Sequence, residues 1–214
     1  MAPRSYTKLR RELIDTCLAM NRLGINQGKA GNASVRVPEG LLITPSGLAY
    51  DRMKSDDIVT VDSEGRAHGT GTPSSEWRFH FDIMKSREDV NAVLHAHPPF
   101  CTALACLGME IPAFHYMVAV AGGDSIRCAP YATFGTQALS DNALRALDGR
   151  RACLLANHGM ICVAGGTGAA LDLAVEVEAL AQQYWRALQI GTPSILPSDE
   201  MQTVRAKFRT YGKR

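Results

Sequence analysis

Leu9, Leu13, Ile14, Cys17, Leu18 and Met20 recur at intervals of three and four, as on a helix that buries one face. The pattern predicts a helix over residues 6–23, stopped by Gly24. After the turn Gly28-Lys29-Ala30-Gly31-Asn32 the apolar runs shorten. Runs at 33–37, 41–44 and 58–61, divided by Pro38-Glu39-Gly40, Pro45-Ser46-Gly47 and Asp62-Ser63-Glu64-Gly65, read as strands joined by tight turns. A second helix is expected over 75–86. A strand at 92–95 leads into Pro98, which suits the first turn of a helix reaching Leu107. Beyond Ile111 the pattern is strand-like through 118–120 and loops at Gly122-Gly123-Asp124. A helix near 138–147, strands at 152–156 and 160–163, a long helix at 169–190 and a last helix at 199–208 complete the order. Strands in short-turn pairs favour antiparallel neighbours. The expected fold is therefore an α/β three-layer sandwich, a mostly antiparallel sheet flanked by helices, in one domain over 1–214. A doubly wound parallel sheet is the alternative.

A chain of 214 residues, 46% hydrophobic and 21% charged, is long enough for one well-buried α/β domain. Its net charge of +2 gives no general electrostatic grip on nucleic acid or an anionic membrane. The basic clusters at Lys8-Arg10-Arg11 and at Lys207, Arg209, Lys213 and Arg214 read as solvated helix faces. The six cysteines form no C-x-x-C pair, and several lie in apolar surroundings, as thiols do in a reducing compartment. No run approaches the ~18–20 apolar residues of a membrane span, and no signal-peptide segment is evident. A soluble, cytoplasmic protein is expected.

Val93-Leu94-His95-Ala96-His97-Pro98 carries the most chemistry. On a strand, residues i and i+2 point to one side, so both imidazoles can converge on one ion. His158 ends the apolar run Leu154-Leu155-Ala156-Asn157 in a tight turn, a rigid place from which to present a ligand. Glu76, at a predicted helix start, is a fourth candidate, although the helix dipole alone favours a carboxylate there. His80 shares a helix face with Glu76 at i,i+4, so spacing leaves open whether His80 or His158 completes a site. Cys101 follows the histidine pair closely enough to be a further ligand candidate. Gly31-Asn32, Ser46-Gly47 and Ser74-Ser75 are ordinary turns taken singly. Together they suggest an anion site of free backbone N–H groups and hydroxyls.

Gly31-Asn32-Ala33-Ser34, Thr44-Pro45-Ser46-Gly47, Pro73-Ser74-Ser75-Glu76-Trp77, His95-Ala96-His97, Ile111-Pro112-Ala113-Phe114-His115-Tyr116 and Asn157-His158-Gly159 occur in one order along the chain. Residues 129–136 and the tail Phe208-Arg209-Thr210-Tyr211-Gly212 extend the pattern. In these motifs, from about residue 8 to the end, the sequence resembles the class II (zinc-dependent) aldolases of the aldolase/adducin-type family.

The resemblance implies zinc, with Mn2+ or Co2+ as alternatives, held by His95, His97 and His158, with Glu76 close enough to ligate before substrate arrives. His80 then becomes a structural helix residue. A substrate phosphate is implied among Asn32, Ser46, Gly47, Ser74 and Ser75, with Gly31 and Lys29 beside it. Ser46 stands where relatives often carry Thr. Lys29 departs from a neutral residue and either adds charge near the phosphate or stays solvated. The implied reaction is reversible cleavage of a deoxy-ketose 1-phosphate, of the L-fuculose 1-phosphate type, to dihydroxyacetone phosphate and an aldehyde such as lactaldehyde. Glu76 would move the proton on the dihydroxyacetone phosphate half. Tyr116, reaching in from a neighbouring subunit of a homotetramer, would exchange one with the C4 oxygen. Phe134 and Tyr211 would line the aldehyde end. A 5-deoxypentulose or 5-methylthioribulose 1-phosphate would present the same phosphate and chelating oxygens with a different tail. Further alternatives are a pentulose-phosphate 4-epimerase, where relatives carry Asp in place of Glu76, a decarboxylase of phosphorylated 3-oxo acids, and a non-catalytic adducin-like module lacking the full metal set.

Overall fold

The computed structural model describes residues 6–210; Tyr211 lies outside them. Helix α1 (Thr7–Arg22) is followed by strands β1 (Asn32–Val37), β2 (Gly40–Ile43), β3 (Val59–Asp62) and β4 (Ala67–His68). Next come α2 (Trp77–Ser86), β5 (Ala92–Ala96), α3 (Pro99–Cys106) and the short strands β6 (Ile111–Pro112), β7 (Ser125–Ile126) and β8 (Cys128–Ala129). Helix α4 (Gln137–Ala146), the hairpin β9 (Ala152–Leu155) and β10 (Gly159–Ala164), then α5 (Thr167–Ile190) and α6 (Ser198–Phe208) close the order.

Eight strands form one sheet in the order β4-β3-β2-β1-β5-β10-β9-β8, antiparallel throughout except for the parallel β8–β9 pair. Apolar side chains leave it on both faces, so the strands read as buried runs rather than as apolar–polar alternation. On β5 and β10, Ala92, Leu94, Met160 and Cys162 join the core shared with α1, α3 and α5. Val93, Ile161 and Val163 join the opposite core, with Phe79 and Ile83 of α2 and Leu139 and Ala143 of α4. This is the expected three-layer sandwich, and burying both faces is what holds the middle strands in register.

Three departures have identifiable causes. The run through 118–120, expected as strand, lies within a 3-10 helix over 116–121, opened by His115, whose Nδ1 accepts from the Met117 amide, and closed by Gly122. Short apolar runs do not distinguish strand from buried helix, and here packing on α5 and α6 decides. Helix α2 begins at Trp77 rather than 75, because the Ser74 hydroxyl accepts from the Glu76 amide and keeps Ser74–Glu76 in a turn. Strand β8 has too little apolar sequence to announce itself.

One long-range contact stiffens the segment just after His97. Helix α3 begins at Pro99, and its free Phe100 and Cys101 amides each donate to a carboxylate oxygen of Glu178 on α5, both at 2.8 Å. An acid at a helix N-terminus satisfies orphan donors and complements the dipole.

Candidate metal centre

Strand β5 lies between β1 and β10, and His95 is the Cα partner of Asn32 on one side and Ile161 on the other. Its side chain leaves the sheet towards α2, where it meets the Phe79 ring edge-on. His97 follows one residue beyond the strand. His158 comes from the three-residue turn of the β9–β10 hairpin, shaped by Asn157 at φ 54°, the only non-glycine with positive φ among the described residues. The Asn157 amide donates to the Ala105 carbonyl at 3.0 Å, tying this turn to α3. Gly159 has to be glycine: a Cβ there would lie 2.4 Å from the Ala96 carbonyl oxygen and 2.7 Å from His97 Cδ2.

These elements bring one nitrogen from each of His95, His97 and His158 within 4.8 Å of one another. His95 Nδ1 is 2.9 Å from the Met160 carbonyl, which can only accept, so Nδ1 carries hydrogen and Nε2 faces the cluster. There it lies 2.8 Å from His97 Nε2 and 3.1 Å from Glu76 Oε2. His158 Nε2 is 3.2 Å from Glu76 Oε1, a buried oxygen with no hydrogen bond. Burial, then His95 and His158 beside it, pushes the His97 pKa down to about 4, so the ring is neutral and able to ligate. Burial works against charge on His95, but the Glu76 carboxylate outweighs it and raises the His95 pKa. Burial likewise works against charge on Glu76, and His95 and His158 outweigh it, holding the carboxyl well below its usual range. The pocket is thus built around positive charge.

Crowded ring nitrogens, an orphaned carboxylate oxygen and a buried negative charge are what a cation between them would satisfy. The donor set, three imidazoles and one carboxylate, fits a divalent metal. Cys101, although close in sequence, is fully buried in the first turn of α3 and does not join the three histidines. His80 also points elsewhere: its Nε2 lies 2.6 Å from Asn32 Oδ1 and its Nδ1 2.7 Å from Ser34 Oγ. Asn32 Nδ2 in turn donates to Glu76 Oε2 at 3.0 Å. Sequence reasoning treated Asn32 only as an anion ligand, and His80 first as a rival ligand to His158 and then, through the resemblance, as a structural helix residue. Their pairing was missed, and the signal was polar Ser34 and His80 at positions that otherwise read as core.

The three small-residue turns meet beside this cluster. Pro45 and Pro73 form an antiparallel bridge, with the Ser46 amide donating to Thr72 and the Ser74 amide to Thr44. Lys29 Nζ donates to the Gly47 carbonyl at 2.9 Å, so it clamps the first turn to the second. Gly31 backs onto β5, where a Cβ would fall 2.6 Å from the His95 carbonyl oxygen. Among the described residues, the Gly47 and Ser75 amides and the Ser46 and Ser75 hydroxyls make no hydrogen bond. The turn carrying Phe134, an exposed ring, comes up against the Ser75 carbonyl.

Tyr116 stands apart. It is 49% exposed, lies parallel to Phe208 at 6.3 Å between ring centres, and lines a cavity of about 900 Å³ with Phe114, His115, Leu196 and Val204. No member of the histidine cluster lines that cavity.

Nitrogen and carboxylate donors beside free amides and hydroxyls define a class: metal-dependent enzymes that stabilise negative charge on an anionic small molecule. Residues 11–185 match the family model described as Class II Aldolase and Adducin N-terminal domain, and the chain belongs to this family. It is 60% identical over 210 residues to the 5-methylthioribulose-1-phosphate/5-deoxyribulose-1-phosphate aldolase of Rhodospirillum rubrum, covering 98% of this chain and 95% of that protein. It is 51% identical over 208 residues to the L-fuculose phosphate aldolase of Escherichia coli K12, covering 97% of each. A solved L-fuculose 1-phosphate aldolase superposes with a TM-score of 0.92 at 40% identity, covering 95% of this chain and 97% of that one. The protein is a class II aldolase, a carbon–carbon lyase.

Proposed function

We propose that this aldolase reversibly cleaves a deoxy-ketose 1-phosphate to dihydroxyacetone phosphate and a short aldehyde, with zinc as its resident metal. His95, His97 and His158 would hold the ion and Glu76 would be a fourth ligand before substrate arrives; Mn2+ or Co2+ suit the same donors. The observation that carries this reading is the convergence of three ring nitrogens within 4.8 Å beside the Glu76 carboxylate. When bound, the metal supplies a Lewis acid for the carbonyl and hydroxyl oxygens of the substrate, so no lysine Schiff base is needed.

The chain's own residues do the rest. Glu76 takes the proton from the carbon of dihydroxyacetone phosphate that becomes C3, and returns it in cleavage. Asn32, Ser46, Gly47, Ser74 and Ser75 bind the phosphate; the free amides and hydroxyls of Gly47, Ser46 and Ser75 support this. Lys29 keeps the turns together and adds positive charge beside them. Tyr116 exchanges a proton with the C4 oxygen from a neighbouring copy in a homotetramer. Its exposure, and the absence of the cluster histidines from the cavity it lines, support action on another subunit. Phe134, at the Ser75 turn, lines the aldehyde end.

Two tails compete for that end. The 60% identical relative is named for 5-methylthioribulose and 5-deoxyribulose 1-phosphates, which favours a methylthio or single-methyl tail releasing a methylthio-aldehyde or acetaldehyde. The 51% identical relative is named for L-fuculose phosphate, which would release lactaldehyde. All six cysteines are free thiols, and no helix among the described residues is long and apolar enough to cross a membrane, which supports a cytoplasmic site of action. The test is cleavage across a panel of ketose 1-phosphates, with and without chelator. Chelator-sensitive release of dihydroxyacetone phosphate from one class is expected, and undiminished cleavage after metal removal would overturn the reading.

A further inference from the structure

The fully buried ring of His80 touches no ligand of the metal cluster through its nitrogens, yet it stands in a directional chain that runs from Ser34 to Glu76. The direction follows from what each group can do. A carboxylate only accepts, so Asn32 has to turn its Nδ2 hydrogens towards Glu76 Oε2, 3.0 Å away. Its Oδ1 then faces α2 and needs a donor, which only a hydrogen on His80 Nε2 supplies, at 2.6 Å. With that nitrogen protonated, the neutral ring offers a lone pair at Nδ1, and the Ser34 hydroxyl donates to it at 2.7 Å. Burial keeps the ring neutral, with a pKa pushed down to about 3. Phe79, stacked on it at 4.6 Å, fixes its plane.

We propose that His80 is a positioning residue for Glu76: as the Nε2–H tautomer set by Ser34, it locks the Asn32 amide in the one orientation that donates to Glu76 Oε2. Turning the amide over would set Oδ1 against the carboxylate and the amide hydrogens against the His80 N–H. Oε2 is therefore tied down and Oε1, which has no hydrogen bond, is the oxygen left to exchange the proton. The catalytic consequence rests on the role given to Glu76 above; the tautomer and the amide orientation do not.

The test takes the metal-loaded protein. His80→Phe keeps a planar ring against Phe79 but cannot donate, and should lower kcat about 10–100-fold, the usual effect of losing an outer partner of a metal-site residue. KM for the ketose 1-phosphate and metal content should stay close to the wild-type values, because His80 touches neither the substrate nor the ring nitrogens of the cluster. His80→Gln, which restores a donor for Asn32, should recover part of kcat. Ser34→Ala should cost kcat in the wild type and nothing further in the His80→Phe background, because the two act in series. A His80→Phe protein with unchanged kcat, or one whose kcat loss follows metal loss, overturns the proposal. Should the variants fold poorly, 15N NMR of the native protein decides: hydrogen on Nε2 and a lone pair on Nδ1 of His80 are expected, and the opposite tautomer overturns the proposal. That readout stands whether or not a ketose 1-phosphate is cleaved, so failure of the substrate assignment is told apart from failure of this one.

Discussion

Asn32 and His95 face each other across β1 and β5, and both reach the same oxygen, Glu76 Oε2, at 3.0 and 3.1 Å. One belongs to the turn expected to bind phosphate and the other to the metal cluster. Glu76 is the joint between the two halves of the site, and its removal should be felt in chemistry before it is felt in binding.

Glu76→Gln should therefore keep metal and lose cleavage by about 10²–10⁴-fold, as for a missing general base. Metal content and single-turnover release of dihydroxyacetone phosphate check this together. Near-normal turnover would remove Glu76 from the proton transfer.

Tyr116→Phe should slow cleavage more than it slows proton exchange on dihydroxyacetone phosphate alone, since only cleavage has to move the proton off the C4 hydroxyl. Mixing this variant with Glu76→Gln subunits gives a sharper result. If Tyr116 serves a neighbour, some mixed assemblies regain a complete site and activity returns above either parent. No recovery would place Tyr116 within its own chain's site or outside the reaction.

Acid should unfold the metal-stripped chain partly through His80. Its folded pKa of about 3 lies below the ordinary value of about 6.5. Between those values the unfolded chain binds a proton that the native ring refuses, so stability is full above about pH 6.5 and falls as pH drops towards 3. The contribution is on the order of 4–5 kcal/mol across that window. Urea midpoints at several pH values should show a shallower fall for His80→Gln than for wild type. Parallel curves would show that the native ring takes up a proton as readily as the unfolded one.

Thiol reagents should separate the cysteines by burial. Cys106 is exposed, whereas burial raises the pKa of Cys17 to about 12 and also raises those of Cys101, Cys128, Cys153 and Cys162. One fast-reacting thiol is expected in the native protein and six after denaturation. Rapid labelling of Cys101 under native conditions would mean that α3 opens readily.

Much of this was legible in the sequence, and the reasons are physical. Helical and strand periods located α1, α5, β5 and the β9–β10 hairpin within a residue or two, because one-sided or two-sided burial writes itself into apolar spacing. His95 and His97 were legible because a strand fixes where i and i+2 point. Choosing between His80 and His158 was not, because both arguments were local while the answer lies in where α2 sits on β1. The Ser34–His80–Asn32 links join residues 46 and 48 positions apart, and no spacing rule covers such pairs. Residues 118–120 went wrong for the opposite reason: their apolar run is genuine, and tertiary packing bent it into a 3-10 helix.

The pairing of β5 has a consequence for the order of assembly. His95 is matched at once to Asn32, far upstream, and to Ile161, far downstream. A slip of one residue in the pairing of β5 would send its imidazole through to the opposite face of the sheet. Convergence of the three rings then requires correct threading of three strands that span most of the chain, and a nascent protein still short of β10 has not yet assembled that cluster. The gathering of those three rings is in that sense a certificate of finished folding.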